Sequence, residues 1–148
     1  MATIDDLIAI AARESYLVVV STIREGGTIQ SSLVNAAVMP HPATGAPVLA
    51  FVTYGPAKLH NLRERPQLTV TARSGWEWMT AEGVAELIGP DDPHPAIDAE
   101  RLRLLLREVF VAAGGTHDDW DEYDRAMARE RRTVVLMPPE RIYSNPGR

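Results

Sequence analysis

Short runs of apolar and β-branched residues recur along the chain, and turns rich in glycine and proline separate them. This pattern is typical of antiparallel strands. It predicts six strands, which cover residues 16–23, 29–39, 48–53, 67–73, 77–88 and 133–137. Glu25-Gly26-Gly27 and Ser74-Gly75 are expected to turn the chain within two hairpins, and Pro138-Pro139 to end the sixth strand before a tail.

Helical periodicity of apolar residues occupies the intervening segments. Thr3-Ile4-Asp5-Asp6 resembles a capping box that opens a helix to about residue 15. Further helices are expected over residues 57–64 and 97–113, and from Asp118 or Asp119 to about 130. Helices placed beside hairpins favour an α+β architecture over alternating βαβ units. We expect one domain over residues 1–148, a six-stranded antiparallel barrel with flanking helices.

The composition excludes several classes of protein. The sequence contains no cysteine, so it carries no disulfide framework, zinc-thiolate site or thiol nucleophile, as is usual in the reducing cytoplasm. The net charge of −5 gives no electrostatic basis for nucleic acid binding. No apolar run approaches the roughly 20 residues that span a membrane, and the acidic start is unlike a signal peptide. We therefore expect a cytoplasmic protein with no nucleic acid or membrane partner.

The segment from Thr53 to Lys58 is the strongest candidate for a binding site. A strand ends in a hydroxyl group, Gly55-Pro56 bends the chain, and a helix opens with Ala57 and Lys58 in its first turn. The first turn of a helix presents unpaired N–H groups and the positive end of the dipole, so it binds anions. A phosphate group is the natural ligand. The alternative is an ordinary strand-to-helix connection with a solvated lysine.

Two further pairs of residues could contact a planar ring. Gln30 and Ser32 share one face of the second strand. There they either form hydrogen bonds with the edge of a heterocycle or make up a polar outer face. Trp76 and Trp78 also share a face, and they either line a pocket or pack in a core or interface.

The charged segments indicate no catalytic group of their own. The acidic run 118–124 fits the start of a helix, where the dipole favours negative charge, better than a metal site. Arg129, Arg131 and Arg132 either pair with that helix or meet an anionic ligand. The histidines lack metal-ligand spacing, and neither a catalytic triad, a GxGxxG motif nor a P-loop is present. If the protein is an enzyme, its reactive atoms therefore belong to a cofactor.

Several segments together resemble a known family, the pyridoxamine 5′-phosphate oxidase-like split barrels. Within it, the chain is most similar to the actinobacterial branch of reductases that use the deazaflavin coenzyme F420. The resemblance covers nearly the whole chain and rests on Ser21-Thr22, Gly26, Gln30-Ser31-Ser32, Thr53, Ala57-Lys58, Asn61-Leu62, Gly75-Trp76, residues 81–87, and residues 117–123 with Arg131-Arg132.

This resemblance implies a homodimer with two equivalent cofactor sites at the subunit interface. Thr53, Ala57 and Lys58 would bind the cofactor phosphate, and Pro56 would also contact the cofactor. Gln30 and Ser32 would lie along its ring. Trp76 and Trp78 would reach in from the other subunit, and Asn61 would have a structural role. Where some relatives carry arginine or serine, this chain has Pro56 and Ala57, which leaves Lys58 and backbone N–H groups to hold the phosphate.

The expected function is hydride transfer from reduced F420 to a small conjugated substrate. One alternative is a flavin reductase or oxidase that binds FMN, because the two cofactors share a ribityl phosphate. Another is a carrier that binds F420 without catalysis. Oxidation of a vitamin B6 phosphate is not expected, since the basic residues that bind the substrate phosphate in such oxidases have no clear match.

Overall fold

The fold comprises four helices and nine strands over residues 2–145, the part of the chain that the computed structural model describes. In chain order they are α1 Ile4–Ala12, β1 Leu17–Ile23, β2 Ile29–Asn35, β3 Ala37–Pro40, β4 Pro47–Thr53, α2 Pro56–Glu64, β5 Gln67–Ser74, β6 Glu77–Val84, β7 Glu86–Ile88, α3 Ala99–Ala112, α4 Trp120–Arg129, β8 Thr133–Met137 and β9 Pro139–Ser144. No helix within residues 2–145 has the length and apolar character needed to cross a membrane.

The strands form two antiparallel sheets. One has five strands in the order β2-β1-β5-β6-β9, and the other has four in the order β3-β4-β8-β7. The α+β class and the antiparallel pairing are confirmed. Six strands were expected and nine are found within residues 2–145, where they form two separate hydrogen-bonded sheets. Closure of these sheets into one barrel is not confirmed.

Three of the nine strands arise where the sequence predicted continuous strands or a tail. The predicted strand 29–39 breaks at Ala36 and the predicted strand 77–88 breaks at Ala85, and at each break the chain passes from the five-stranded sheet to the four-stranded sheet. The predicted tail is β9, which begins at Pro139 on the edge of its sheet, where a missing N–H is tolerated. Neither Ala36 nor Ala85 is a glycine or proline that would mark a turn, so the sequence pattern does not reveal these breaks.

Local capping explains where the helices begin. The capping box is confirmed, since Asp6 N donates to Thr3 Oγ1 over 3.2 Å and Thr3 N donates to the Asp6 carboxylate over 3.0 Å. Asp119 caps α4. Two predicted bounds need correction. Asp98 caps α3, which therefore starts at Ala99 and not at residue 97. α1 ends at Ala12 and not near residue 15.

Two apolar clusters lie on opposite faces of the four-stranded sheet. Leu49 and Phe51 of β4 face the five-stranded sheet and α1, whereas Val48 and Ala50 face α3 and α4. Strand β4 is therefore buried on both sides, and its last residue, Thr53, ends at the position where α2, α3 and α4 come together.

Candidate functional site

A cleft of about 620 Å³ opens beside the end of β4. This volume lies within the range that small-molecule sites occupy. The turn into α2, the end of β2, the end of α3 and one face of α4 form its walls. The lining residues are Ser15, Leu33, Val34, Asn35, Val52, Thr53, Tyr54, Gly55, Pro56, Lys58, Val109, Phe110, Ala113, Gly114, Gly115, Tyr123, Met127 and Arg132.

The N-terminus of α2 faces this cleft without a side-chain cap. Gly55 is the N-cap residue and Pro56 is the first helical residue, one position before the predicted start at Ala57, and the first turn contains no acidic side chain. Gly55 N donates to Thr53 Oγ1 over 3.3 Å. The turn thus combines a hydroxyl group with the positive end of a helix dipole, an arrangement that attracts anions.

Lys58 is the only lysine of the chain, and its side chain is almost fully buried, with 8% exposed. Its Nζ donates to Thr53 Oγ1 over 3.3 Å and lies 5.8 Å from the centre of the Phe51 ring. Among residues 2–145, no carboxylate forms a salt bridge with it. Burial lowers the pKa of Lys58 below its ordinary value of 10.5. A buried cation without a counter-charge makes this end of the cleft suited to an anionic ligand.

Arg132 supplies a second positive charge to the lining. Its guanidinium carbon lies 3.8 Å from the centre of the Tyr54 ring, and its Nε donates to Glu130 over 3.0 Å. The sequence offered pairing with the acidic helix or ligand binding as the two roles of Arg132. The structure pairs it with Glu130, the C-cap residue of α4, and places it on the cleft wall. Tyr54 was missed, because nothing in its local sequence indicates the partner 78 positions away.

Aromatic residues of α3 and α4 form the wall opposite α2. The ring centres of Phe110 and Tyr123 are 5.0 Å apart, and Trp120 packs edge-on against both. Tyr123 Oη donates to the carbonyl of Leu106 over 2.9 Å, and burial raises the pKa of Tyr123 to about 12. Tyr123 is therefore a neutral, fixed wall residue. The residue pattern indicated an acidic helix start, and the family resemblance included residues 117–123, but neither predicted the buried aromatic face of this helix.

The acidic residues at the start of α4 and within it have structural roles. Asp119 caps the helix, and Asp124 accepts hydrogen bonds from Arg103 and Arg107 of α3. The hydrogen bond from Arg107 is the main cause that lowers the pKa of Asp124. These bonds hold α4 against α3 and so fix the aromatic wall. The partner of Arg131 is Asp91, not a residue of α4.

Gln30 and Ser32 share the inner face of β2, but neither lines the cleft. The Gln30 carbonyl oxygen accepts a 3.1 Å hydrogen bond from Asn61 Nδ2, which also donates to Thr22 Oγ1 over 3.1 Å. This buried network attaches β1 and β2 to α2. Ser32 lies between Gln30 and the cleft residue Val34 on the same face of the strand.

Trp76 and Trp78 lie away from the cleft of their own chain. They border a groove of about 1060 Å³ on the outer face of the five-stranded sheet, together with Leu17, Val19 and Leu33. Trp76 is 85% exposed. Of the eight residues predicted to bind a cofactor, Thr53, Pro56 and Lys58 line the cleft. Ala57 is exposed beside it.

Solved structures of several proteins share this fold. A conserved hypothetical protein from Mycobacterium tuberculosis superimposes with a TM-score of 0.67 at 21% identity, over 97% of this chain and 84% of its own. A pyridoxamine 5′-phosphate oxidase-related, FMN-binding protein from Nostoc punctiforme gives 0.62 at 16% identity, over 97% and 86%. A protein described as an F420 reductase gives 0.59 at 15% identity, over 87% and 90%. At such identities these likenesses establish the fold.

The sequence itself identifies the family. Residues 4–144 match the family described as pyridoxamine 5′-phosphate oxidase. The match extends from the first residue of α1 to the last residue of β9 and includes the whole cleft. The chain therefore belongs to the pyridoxamine 5′-phosphate oxidase family.

Proposed function

We propose that this protein is an F420-dependent oxidoreductase that transfers a hydride from the reduced deazaflavin to a small conjugated substrate. The observation that carries the proposal is the buried, unpaired charge of Lys58 at the open N-terminus of α2, inside a cleft with an aromatic wall. The likeness to an F420 reductase makes the deazaflavin the first cofactor to test.

The residues of the cleft fit a ribityl phosphate. Lys58, the Thr53 hydroxyl and the free N–H groups of α2 would hold the phosphate, and no acidic side chain lines the cleft within residues 2–145 to repel it. Gln30 and Ser32 would flank the ring system along β2. Pro56 and Ala57 provide no side-chain donor, so Lys58 would supply the main charge-assisted hydrogen bond.

When bound, the deazaflavin supplies the hydride, and the protein supplies binding, orientation and exclusion of water. Phe110 and Tyr123, whose ring planes are tilted by 42°, give the cleft an aromatic wall against which part of a ring system could pack. The hydroxyl group of Tyr123 is committed to Leu106 and its pKa is raised, so it is unsuited to donate a proton. No carboxyl or imidazole group lines the cleft in the described part of the chain. We therefore assign protonation of the product to solvent.

A homodimer forms part of the proposal. The outer face of the five-stranded sheet exposes Leu17, Val19, Leu33 and Trp76, which is a large apolar surface for a protein of this size. A second copy seated on this face would cover it. Trp76 and Trp78 would then be available to the cleft of the partner subunit, and the cofactor would lie at the interface.

FMN is the alternative cofactor, and the family and the FMN-binding relative from Nostoc punctiforme favour it. In that case the protein would act as a flavin reductase or oxidase through the same phosphate site. The lack of a carboxyl or imidazole group in the described cleft favours a further alternative, a carrier that binds F420 without catalysis.

The deciding experiment is a fluorescence titration of the purified protein with F420 and, separately, with FMN. Tight binding of F420 with weak binding of FMN supports the proposal. The reverse result would identify FMN as the cofactor instead. Binding of neither would overturn the proposed site. Turnover with a panel of quinones, enones and tetrapyrroles then separates a reductase from a carrier.

A further inference from the structure

A second cavity, of about 440 Å³, lies on the far side of α4 from the cleft. We call it the loop cavity, because residues 89–98, which join β7 to α3, form one of its walls. The other walls come from α3 and α4. Its apolar lining includes Ile88, Ile97, Leu102, Leu106 and Met127. Met127 and Arg132 border both spaces and separate the loop cavity from the cleft.

Every charged side chain in this lining already has a partner. Asp92 receives two hydrogen bonds from Arg63, at 2.9 and 2.7 Å. His94 Nε2 lies 2.9 Å from the Glu86 carboxylate.

The same holds on the helical side of the cavity. Asp98 accepts from the backbone N–H of Arg101 over 2.8 Å as the cap of α3. Arg103 forms a salt bridge with Asp124 at 2.8 Å, and Arg132 forms one with Glu130 at 3.0 Å. A charged ligand would have to break one of these pairs, at a cost in binding free energy. The occupant that this lining accepts is therefore neutral.

The wall formed by residues 89–98 is fixed in place. Besides the bond from Arg63 to Asp92, Arg131 forms two hydrogen bonds with Asp91, at 3.1 and 2.6 Å. His94 is held twice, by Glu86 at Nε2 and by the backbone N–H of Ala96 at Nδ1 over 3.0 Å. The cavity is thus formed before any ligand arrives, so binding does not have to order the loop.

We propose that the loop cavity is a binding site for a neutral, apolar small molecule, the size of a few aromatic rings or a short branched alkyl chain. Burial of its apolar surface against α3 and α4 would provide the affinity. The site is separate from the anion-binding cleft and does not depend on the identity of the cofactor.

The test uses the neutral fluorescent probe N-phenyl-1-naphthylamine, titrated into the purified protein. Two variants fill the cavity from different walls: Ala128→Phe on α4 and Ala99→Phe at the start of α3. Both alanines are exposed at the cavity rim, so the core packing is unchanged. Ala112→Phe is the matched control, because Ala112 is an exposed residue of α3 outside the cavity lining.

We expect the wild-type protein and Ala112→Phe to bind the probe with equal affinity, and each filling variant to bind at least tenfold more weakly. Thermal unfolding identifies any variant that fails to fold, and the other filling variant then decides the result. Wild-type affinity in a folded filling variant, complete displacement of the probe by saturating FMN or F420, or no probe binding to the wild type would each overturn the proposal.

Discussion

At the scale of single residues, Lys58 occupies an unusual position. It is nearly buried, its recorded hydrogen bond is to one threonine hydroxyl, and the fourteen other basic residues are all arginines. Arginine is more weakly hydrated than lysine and keeps its charge when buried, whereas lysine changes its pKa readily. The only lysine amine of the chain thus lies where the proposed function places the cofactor phosphate.

Replacement of Lys58 by alanine should weaken binding of F420 or FMN by at least ~1.5 kcal/mol, or about tenfold, because a charge-assisted hydrogen bond to the phosphate is lost. Isothermal titration calorimetry measures this change. His60→Ala is the control, since His60 is exposed on the same helix outside the cleft lining. Equal affinities of wild type and Lys58→Ala would remove the phosphate assignment.

The lowered pKa of Lys58 predicts how binding depends on pH. An amine carries its charge only below its pKa, and burial lowers that value below 10.5. The affinity for the phosphate-containing cofactor should therefore begin to fall at a pH below 10.5, where a free lysine is still charged. The Lys58→Arg variant should show little change, because arginine does not titrate in this range. Cofactor titrations at a series of pH values measure both profiles, and parallel profiles would contradict the assignment.

Reductive methylation with ¹³C-formaldehyde gives an independent measurement. It labels the N-terminal amine and Lys58, the only lysine of the chain, so the NMR spectrum should show one titrating side-chain signal. That signal should titrate at higher pH after the cofactor is added, because a nearby anion stabilises the charged amine. An unchanged titration curve would place the anion elsewhere.

At the scale of secondary-structure elements, close contacts between strands determine which residues are tolerated. β6 changes register relative to β9 between Glu82 and Gly83. A Cβ atom on Gly83 would lie 2.5 Å from the carbonyl oxygen of Pro138 and 3.0 Å from Met137 Cγ. The glycine therefore allows β9 to approach β6 immediately after the chain leaves β8.

Gly83→Ala should lower the free energy of unfolding by about 2 kcal/mol, as is usual for overpacking against backbone. The matched control is Gly26→Ala, where the added Cβ has no atom within 4 Å. That variant should remain within about 0.5 kcal/mol of the wild type. Urea unfolding of all three proteins measures the differences. An equal loss of unfolding free energy in both variants would show that the contact with Pro138 is not the cause of the destabilisation.

Local signals made some elements predictable from sequence. The capping box of α1 and the turn at Gly55-Pro56 involve residues within a few positions of each other, so the sequence contains both partners. The corners at Ala36 and Ala85 depend on which sheet each half of a strand joins, and distant residues decide that. Both alanines donate backbone hydrogen bonds outside the two strands they separate, to Tyr16 and Pro66 respectively.

The candidate site likewise contains residues that local sequence predicts and residues that only long-range contacts bring in. Thr53 and Lys58 are five residues apart, and their spacing at a strand-to-helix junction predicted an anion site. Arg132 reaches Tyr54, and Tyr123 reaches the cleft wall, only because α3 and α4 pack over the end of β4. No local pattern records these long-range contacts, so the sequence identified one half of the cleft.

At the scale of the whole molecule, the outer face of the five-stranded sheet is an exposed apolar surface. Val19 lies opposite Leu33 in the register of β1 and β2, and both side chains are exposed together with Trp76. In the proposed dimer a second copy covers this face and brings the tryptophans toward the other cleft.

Val19→Glu should therefore convert the protein to a folded monomer, because an unpaired carboxylate in an apolar interface is costly to desolvate. Sedimentation velocity at micromolar concentration measures the change. Val111→Glu is the control, since Val111 is an exposed residue of α3 on a different surface. A monomeric wild type, or a dimer that tolerates Val19→Glu, would place the interface elsewhere or remove it.

Leu33 lines both the cleft and the groove on the outer face of the sheet, so one residue of β2 belongs to two surfaces. In the proposed dimer, association through the groove and ligand binding in the cleft would both change the surroundings of Leu33, and this shared residue would link the two equilibria. Linkage is reciprocal: any factor by which association tightens ligand binding is the factor by which the ligand tightens association. The dimer dissociation constant, measured with and without ligand, would thus report occupancy of the cleft without any optical signal from the ligand.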